Sequence, residues 1–185
     1  ERDTRRTLKG RDIRLLPVPV DRDLLPFQHR PSLQTILHTA GTPAMEDRNG
    51  TLVLIEAMRH VRSPVHAVIR TQKPLGARDL PYNVSIDDRP VADYWDLYDE
   101  GDLYVMPRKF GGLCLPAQEA LAVGMPVLMT NVAPQNECFP PELLVDAPAT
   151  HEVMTRAMIA VPEADPIQVA ARIDWLYDNP ERFAE

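Results

Sequence analysis

Leu103 to Thr130, LYVMPRKFGGLCLPAQEALAVGMPVLMT, decides the fold. It opens on the apolar run Leu103–Met106, which reads as a buried strand. A loop containing Gly111 and Gly112 follows, and Pro116 then stands where a helix begins, because its fixed φ suits a first turn. Ala117 to Val123 reads as a short helix closed by Gly124, and Met125 to Thr130 as another strand. A strand, a glycine loop, a helix and a strand in that order make a βαβ unit. Such a crossover joins parallel neighbours in one sheet.

The same alternation extends in both directions. Upstream, Thr35 to Ala40 (TILHTA) reads as a strand ending at Gly41. Thr51 to Val61 then places Leu54, Ala57, Met58 and Val61 on one helical face. Val65 to Arg70 and Tyr82 to Ile86 read as further strands, and Ala92 to Glu100 as an acidic, aromatic helix stopped by Gly101. Downstream, Leu143 to Val145 reads as a last short strand. Ile167, Ala170, Ile173, Leu176 and Tyr177 mark an amphipathic helix that stops before Pro180. The predicted class is therefore α/β, a parallel sheet flanked by helices. Residues 1–16, basic and without period, read as an N-terminal edge or interdomain linker, and 17–185 as one domain.

Bulk properties narrow the function. A chain of 185 residues suits a single sizeable core, and 44% hydrophobic with 25% charged residues is a folded composition. No apolar run approaches the length that spans a bilayer. The net charge of −7 opposes bulk attraction to nucleic acid or anionic lipid, so an anionic ligand must be caught locally. The cluster Arg2, Arg5, Arg6, Lys9, Arg11 and Arg14 reads as a solvated or interdomain segment. Cys114 and Cys138 have no CxxC or metal spacing, which suits a reducing cytoplasm and predicts neither zinc nor a disulfide framework. The five histidines share no ligand spacing, and His38 reads as a packed core residue. Asp87, Asp88 and Asp93 lie beside a turn and need no ion. With no Met start and no signal-peptide pattern, the chain reads as an internal segment.

The loop of the opening stretch has the chemistry of an anion site. A helix N-terminus presents unpaired N–H groups and partial positive charge, and Gly111 and Gly112 let a phosphate approach the backbone. The bland alternative is a tight strand-to-helix turn and nothing more. Glu119 lies about one turn inside the helix, where a carboxylate can accept hydrogen bonds from a vicinal diol such as ribose. Its bland alternative is a solvated surface residue.

Gly112 to Val127 (GLCLPAQEALAVGMPV) resembles the donor-site motif of retaining GT-B glycosyltransferases of the family-4 kind. Three other segments are similar in order to that family: Gly41 to Gly50 leading into Leu54-Ile55-Glu56-Ala57, Pro17 to Asp21, and Asp99 to Pro107. The resemblance implies a Rossmann-like parallel sheet, one half of a GT-B fold. It implies a UDP- or GDP-sugar as donor, no metal or other cofactor, and a partner N-terminal domain, missing from this chain, that supplies the acceptor site. Glu119 matches the family's ribose ligand. The implied donor contacts are Gly41, Thr42, Asn49, Arg108, Gly111, Gly112, Leu113, Cys114 and Leu115, with Asn83 and Val84 beside the nucleobase. Arg48, Lys109 and Glu119 are the implied catalytic set, the two cations steadying the departing diphosphate.

Two positions depart from the pattern. The family's first glutamate falls at Gly111, and its Arg and Lys fall at Thr42 and Asn49, which leaves Arg48, Arg108 and Lys109 as the available cations. These departures keep a second reading open, a non-catalytic nucleotide-binding or interaction module. A third, a sugar-nucleotide epimerase, needs acid–base residues that the sequence does not offer.

Overall fold

The computed structural model describes residues 19–41, 47–76, 79–154 and 158–181. Its centre is a parallel sheet of six strands in the order β3-β2-β1-β4-β5-β6. The strands are β1 (Thr35–Gly41), β2 (His66–Thr71), β3 (Val84–Asp87), β4 (Leu103–Met106), β5 (Val127–Thr130) and β6 (Leu144–Val145). Helices α1 (Thr51–Met58), α2 (Leu115–Ala122) and α3 (Pro166–Asp178) flank it. The expected α/β class, a Rossmann-like sheet with helices on both faces, is the one observed.

Strand periodicity builds the two-sided core. Successive side chains leave a strand on opposite faces, and a parallel sheet covered on both faces needs both sets apolar. Ile36, Leu103, Val105 and Leu128 pack with α1 and α3, while Leu37, Tyr104, Met106, Val127 and Met129 pack with α2. Each such Leu or Ile contributes roughly 1.5–3 kcal/mol by leaving water. Beneath α1 and α3, Asp174 accepts hydrogen bonds from the backbone N–H groups of Arg62 and Ser63 and from the Ser63 hydroxyl, tying α3 to the turn after α1.

Several boundaries differ from the sequence expectation. β3 begins at Val84, two residues after the expected Tyr82, because Val84 N donates to Pro81 O and closes a turn through Tyr82 and Asn83. The expected helix 92–100 is a 3-10 turn, Tyr94–Tyr98, started by an Asp93–Asp96 capping box. The first helix stops at Met58, short of Val61, where Arg59 and His60 turn their N–H groups to Glu56 and Ala57 carbonyls. An antiparallel hairpin, β7 (Ala149–Met154) with β8 (Met158–Glu163), stands apart from the main sheet and was not expected. Asp165 caps α3 by accepting from Ile167 N, and the helix ends at Asp178 before Pro180.

Candidate functional site

β1 pairs with β2 on one side and β4 on the other, so the chain reverses its winding direction there. In such sheets the crevice outside the carboxyl ends of the strands at the reversal is where ligands bind. A half-open cavity of about 680 Å³ occupies that end, lined by Thr39 and Gly41 at the end of β1, by Arg48 and Asn49, by the ends of β2 and β3 through Val91, and by Tyr94, Leu97 and Pro116.

The loops at its rim are locked to one another. Gly50, at φ 73°, lies so close to the β4 loop that an added Cβ would stand 2.1 Å from Pro107 O. Lys109 N donates to Arg48 O at 2.9 Å. Asn49 Nδ2 donates to Thr39 O and Ala40 O, finishing the end of β1. Below them His38, fully buried, places Nδ1 2.8 Å from Val105 O and Nε2 2.9 Å from Thr51 Oγ1. The carbonyl only accepts, so Nδ1 carries the proton and Thr51 donates to Nε2. Burial holds the His38 imidazole down to about 4.

The turn into α2 leaves donors free. Cys114 adopts the left-handed region at φ 53° as the N-cap. The backbone N–H groups of Gly112, Leu113, Cys114 and Leu115 meet no acceptor among the described residues. Unpaired amides at a helix N-terminus are what an anion needs. One turn on, Glu119 Oε2 accepts from the hydroxyls of Tyr94 at 2.6 Å and Tyr98 at 2.5 Å. Burial, strengthened by these bonds to the carboxylate, pushes the Tyr94 phenol up to about 12 and Tyr98 further upward. Arg108 is 8% exposed, donates through Nε to Phe110 O, and pairs with no carboxylate among the described residues.

The structure brings together Gly41, Arg48 and Asn49 at the cavity, with the 111–115 turn and Glu119 on the adjoining helix. Thr42 lies outside the described residues. Two sets of expected contacts are corrected. Asn83 and Val84 stand at the start of β3, the opposite end from the cavity, and Asn83 Nδ2 donates to Met58 O. The part of that strand at the cavity is Asp87 to Val91, where Asp87 takes a bidentate bond from Arg89 and a 2.7 Å ion pair from Arg70. The Arg89 guanidinium, aided by Arg70, holds the Asp87 carboxyl well below the usual carboxylate range.

Lys109 is the second correction. It is buried between Asp47 at 3.5 Å and Glu163 at 2.8 Å, so its charge is already balanced, and the cations here without a carboxylate partner among the described residues are Arg48 and Arg108. Burial pushes Asp47 up despite that partner. The sequence reading also missed Tyr94 and Tyr98. Their spacing in the aromatic stretch Tyr94-Trp95-Asp96-Leu97-Tyr98 was the available signal, since both hydroxyls converge on one acid.

Among the described residues no helix is long and apolar enough to cross a membrane. Solved structures share the architecture. The C-terminal domain of LpcC, a glycosyl transferase group 1 family protein from Francisella tularensis, has a TM-score of 0.63 at 18% identity over 90% of this chain and 92% of that one. The catalytic domain of a cholesterol-α-glucosyltransferase from Helicobacter pylori has a TM-score of 0.57 at 14% identity over 81% and 90%. A glycosyltransferase from Rickettsia africae has a TM-score of 0.55 at 13% identity over 80% of this chain but 38% of that one. The fold is thus the Rossmann-like half of GT-B proteins. No curated protein matches the sequence. The family described as glycosyl transferases group 1 matches residues 34–179.

Proposed function

The chain belongs to the glycosyl transferases group 1 family, and from that premise we propose that it binds the diphosphate and ribose of a UDP- or GDP-sugar for retaining glycosyl transfer of the family-4 kind. One observation carries this reading: four consecutive backbone amides, Gly112 to Leu115, stand without acceptors among the described residues at the start of a helix that bears Glu119 one turn further on.

The chemistry asks for leaving-group stabilisation. As the glycosidic C–O bond breaks, negative charge grows on the diphosphate, and donors already aimed at it lower the barrier because they need no reorganisation. The free amides, Arg48 and Arg108 supply those donors. Arg108 is suited to grip phosphate oxygens through two parallel N–H bonds. Glu119 accepts from the ribose hydroxyls and sets the register of the donor. The acceptor and the remaining catalytic groups come from an N-terminal partner domain, so this chain alone turns over little or no sugar nucleotide. The reaction is placed in the cytoplasm and needs no metal.

Calorimetric titration with UDP and with GDP tests this. One of them binds, and Glu119→Ala weakens it. Absence of binding by both, or an unchanged affinity in Glu119→Ala, overturns the reading. Gly111, which leaves the loop without the carboxylate that the family pattern places there, favours the second reading of a non-catalytic binding module. Reconstitution with the N-terminal half of a related enzyme separates the two: product formation supports transfer, and binding without product supports the module.

A further inference from the structure

We infer that Tyr94 and Tyr98 are positioning residues that hold the Glu119 carboxylate in its ligand-binding orientation and thereby set the preference for a nucleotide with an intact ribose diol. The inference rests on the proposed role of Glu119.

Both phenols donate to the same oxygen. Tyr94 and Tyr98 hydroxyls lie 2.6 and 2.5 Å from Oε2, and 3.4 Å from one another. Oε1 accepts no hydrogen bond among the described residues, so the pair fills one side of the carboxylate and leaves the other open. A carboxylate at the end of a Glu side chain otherwise turns about its last torsion, which is broad and shallow. Two charge-assisted bonds remove that freedom before a ligand arrives, and ordering done in advance is not charged to binding.

The anchoring is asymmetric. Tyr98 is 1% exposed and packs in the α2 core against Tyr104, a rigid post with ring centroids 6.5 Å apart. Tyr94 is 45% exposed and lines the cavity itself. The 3-10 turn that carries both is fixed by the Asp93–Asp96 box, which places the two rings edge to face with centroids 6.3 Å apart. Tyr98 therefore locates the carboxylate, and Tyr94 joins it to the wall of the cavity. Neither residue reaches the reacting bond, and both act through Glu119.

The test compares UDP and GDP with their 2′,3′-dideoxy analogues by calorimetry on the full chain, in the wild type and in Tyr94→Phe, Tyr98→Phe and Glu119→Ala. Phe keeps each ring and its packing and removes only the hydroxyl. Tyr98→Phe is expected to weaken the ribonucleotide about three- to tenfold, the worth of one hydrogen bond, and to leave the dideoxy analogue unchanged. In a Glu119→Ala background the same substitution has no further effect. A merely structural role would weaken both nucleotides alike, and that result overturns the inference. So does an unchanged ribonucleotide affinity in both Phe variants while Glu119→Ala still discriminates, which leaves the donor-site reading standing. If Glu119→Ala does not discriminate ribose from dideoxyribose, both the donor-site reading and this inference fall.

Discussion

Arg108 lays its guanidinium against the bare Cα of Gly111, so near that a Cβ there would stand 2.0 Å from Nη2. Gly111 also has φ 141°, a conformation that residues with side chains rarely adopt. The loop thus gives the space of one missing side chain to a cation. Gly111→Ala must push Arg108 aside, and we expect it to weaken UDP or GDP binding about tenfold, the worth of a charge-assisted hydrogen bond. Isothermal titration reads this directly, and an unaltered affinity would show that Arg108 does not meet the phosphates.

Lys109 behaves differently, although it is the next residue. Its partners Asp47 and Glu163 make it a strut between the rim loop and β8. Lys109→Met leaves the partly buried Asp47 without its counter-charge, at a cost of about 2 kcal/mol after allowance for the partly exposed Glu163. The expected result is a Tm lower by roughly 4–8 °C with nucleotide affinity changed less than about twofold. Loss of affinity at constant Tm would restore Lys109 to the ligand.

Stability should fall with acid in a window set by His38. Its folded-state pKa of about 4 lies below the ordinary value of 6.5. The unfolded chain therefore takes the proton first, and the neutral imidazole's contribution is complete above pH 6.5 and lost as pH drops toward 4. The gap corresponds to about 3 kcal/mol. Urea midpoints measured between pH 7 and 4 should show this slope, and His38→Gln should flatten it. An equal slope in the variant refutes the assignment.

Gly50 makes the close backbone contact between the two rim loops. A Cβ there meets Pro107 O, and its φ of 73° adds strain. Gly50→Ala is expected to cost about 2–4 kcal/mol and to separate the two loops. Chemical denaturation measures it, and a midpoint equal to wild type would mean that the loops part without penalty.

What the sequence discloses here is what neighbours decide. The strand, glycine loop and helix from Leu103 to Gly124 were readable because apolar alternation, Pro116 and Gly124 act within a few residues. The β3 start was misplaced because Pro81 recruits Tyr82 and Asn83 into a turn, and Asn83 lies at the amino end of the strand under either boundary, away from the cavity. Aromatic residues fit a helix poorly, and the stretch before Gly101 tightened into a 3-10 turn instead. The hairpin of β7 and β8 is not legible because Pro162, a residue that argues against a strand, lies inside β8. Side-chain partners were the least legible. Lys109 with Glu163, and Glu119 with two tyrosines, are pairings across the fold that no local pattern encodes.

Asp174 and the turn it fastens are separated by 112 residues. The apolar face of α1, made before α3, must therefore wait for that helix to leave the ribosome before it is covered. Until then Val53, Leu54, Ala57 and Met58 lack the helix that covers them. Long-range closure of this kind slows folding and exposes sticky surface to neighbouring chains. Any nascent chain that ends between Met58 and Pro166 therefore carries that face without its cover.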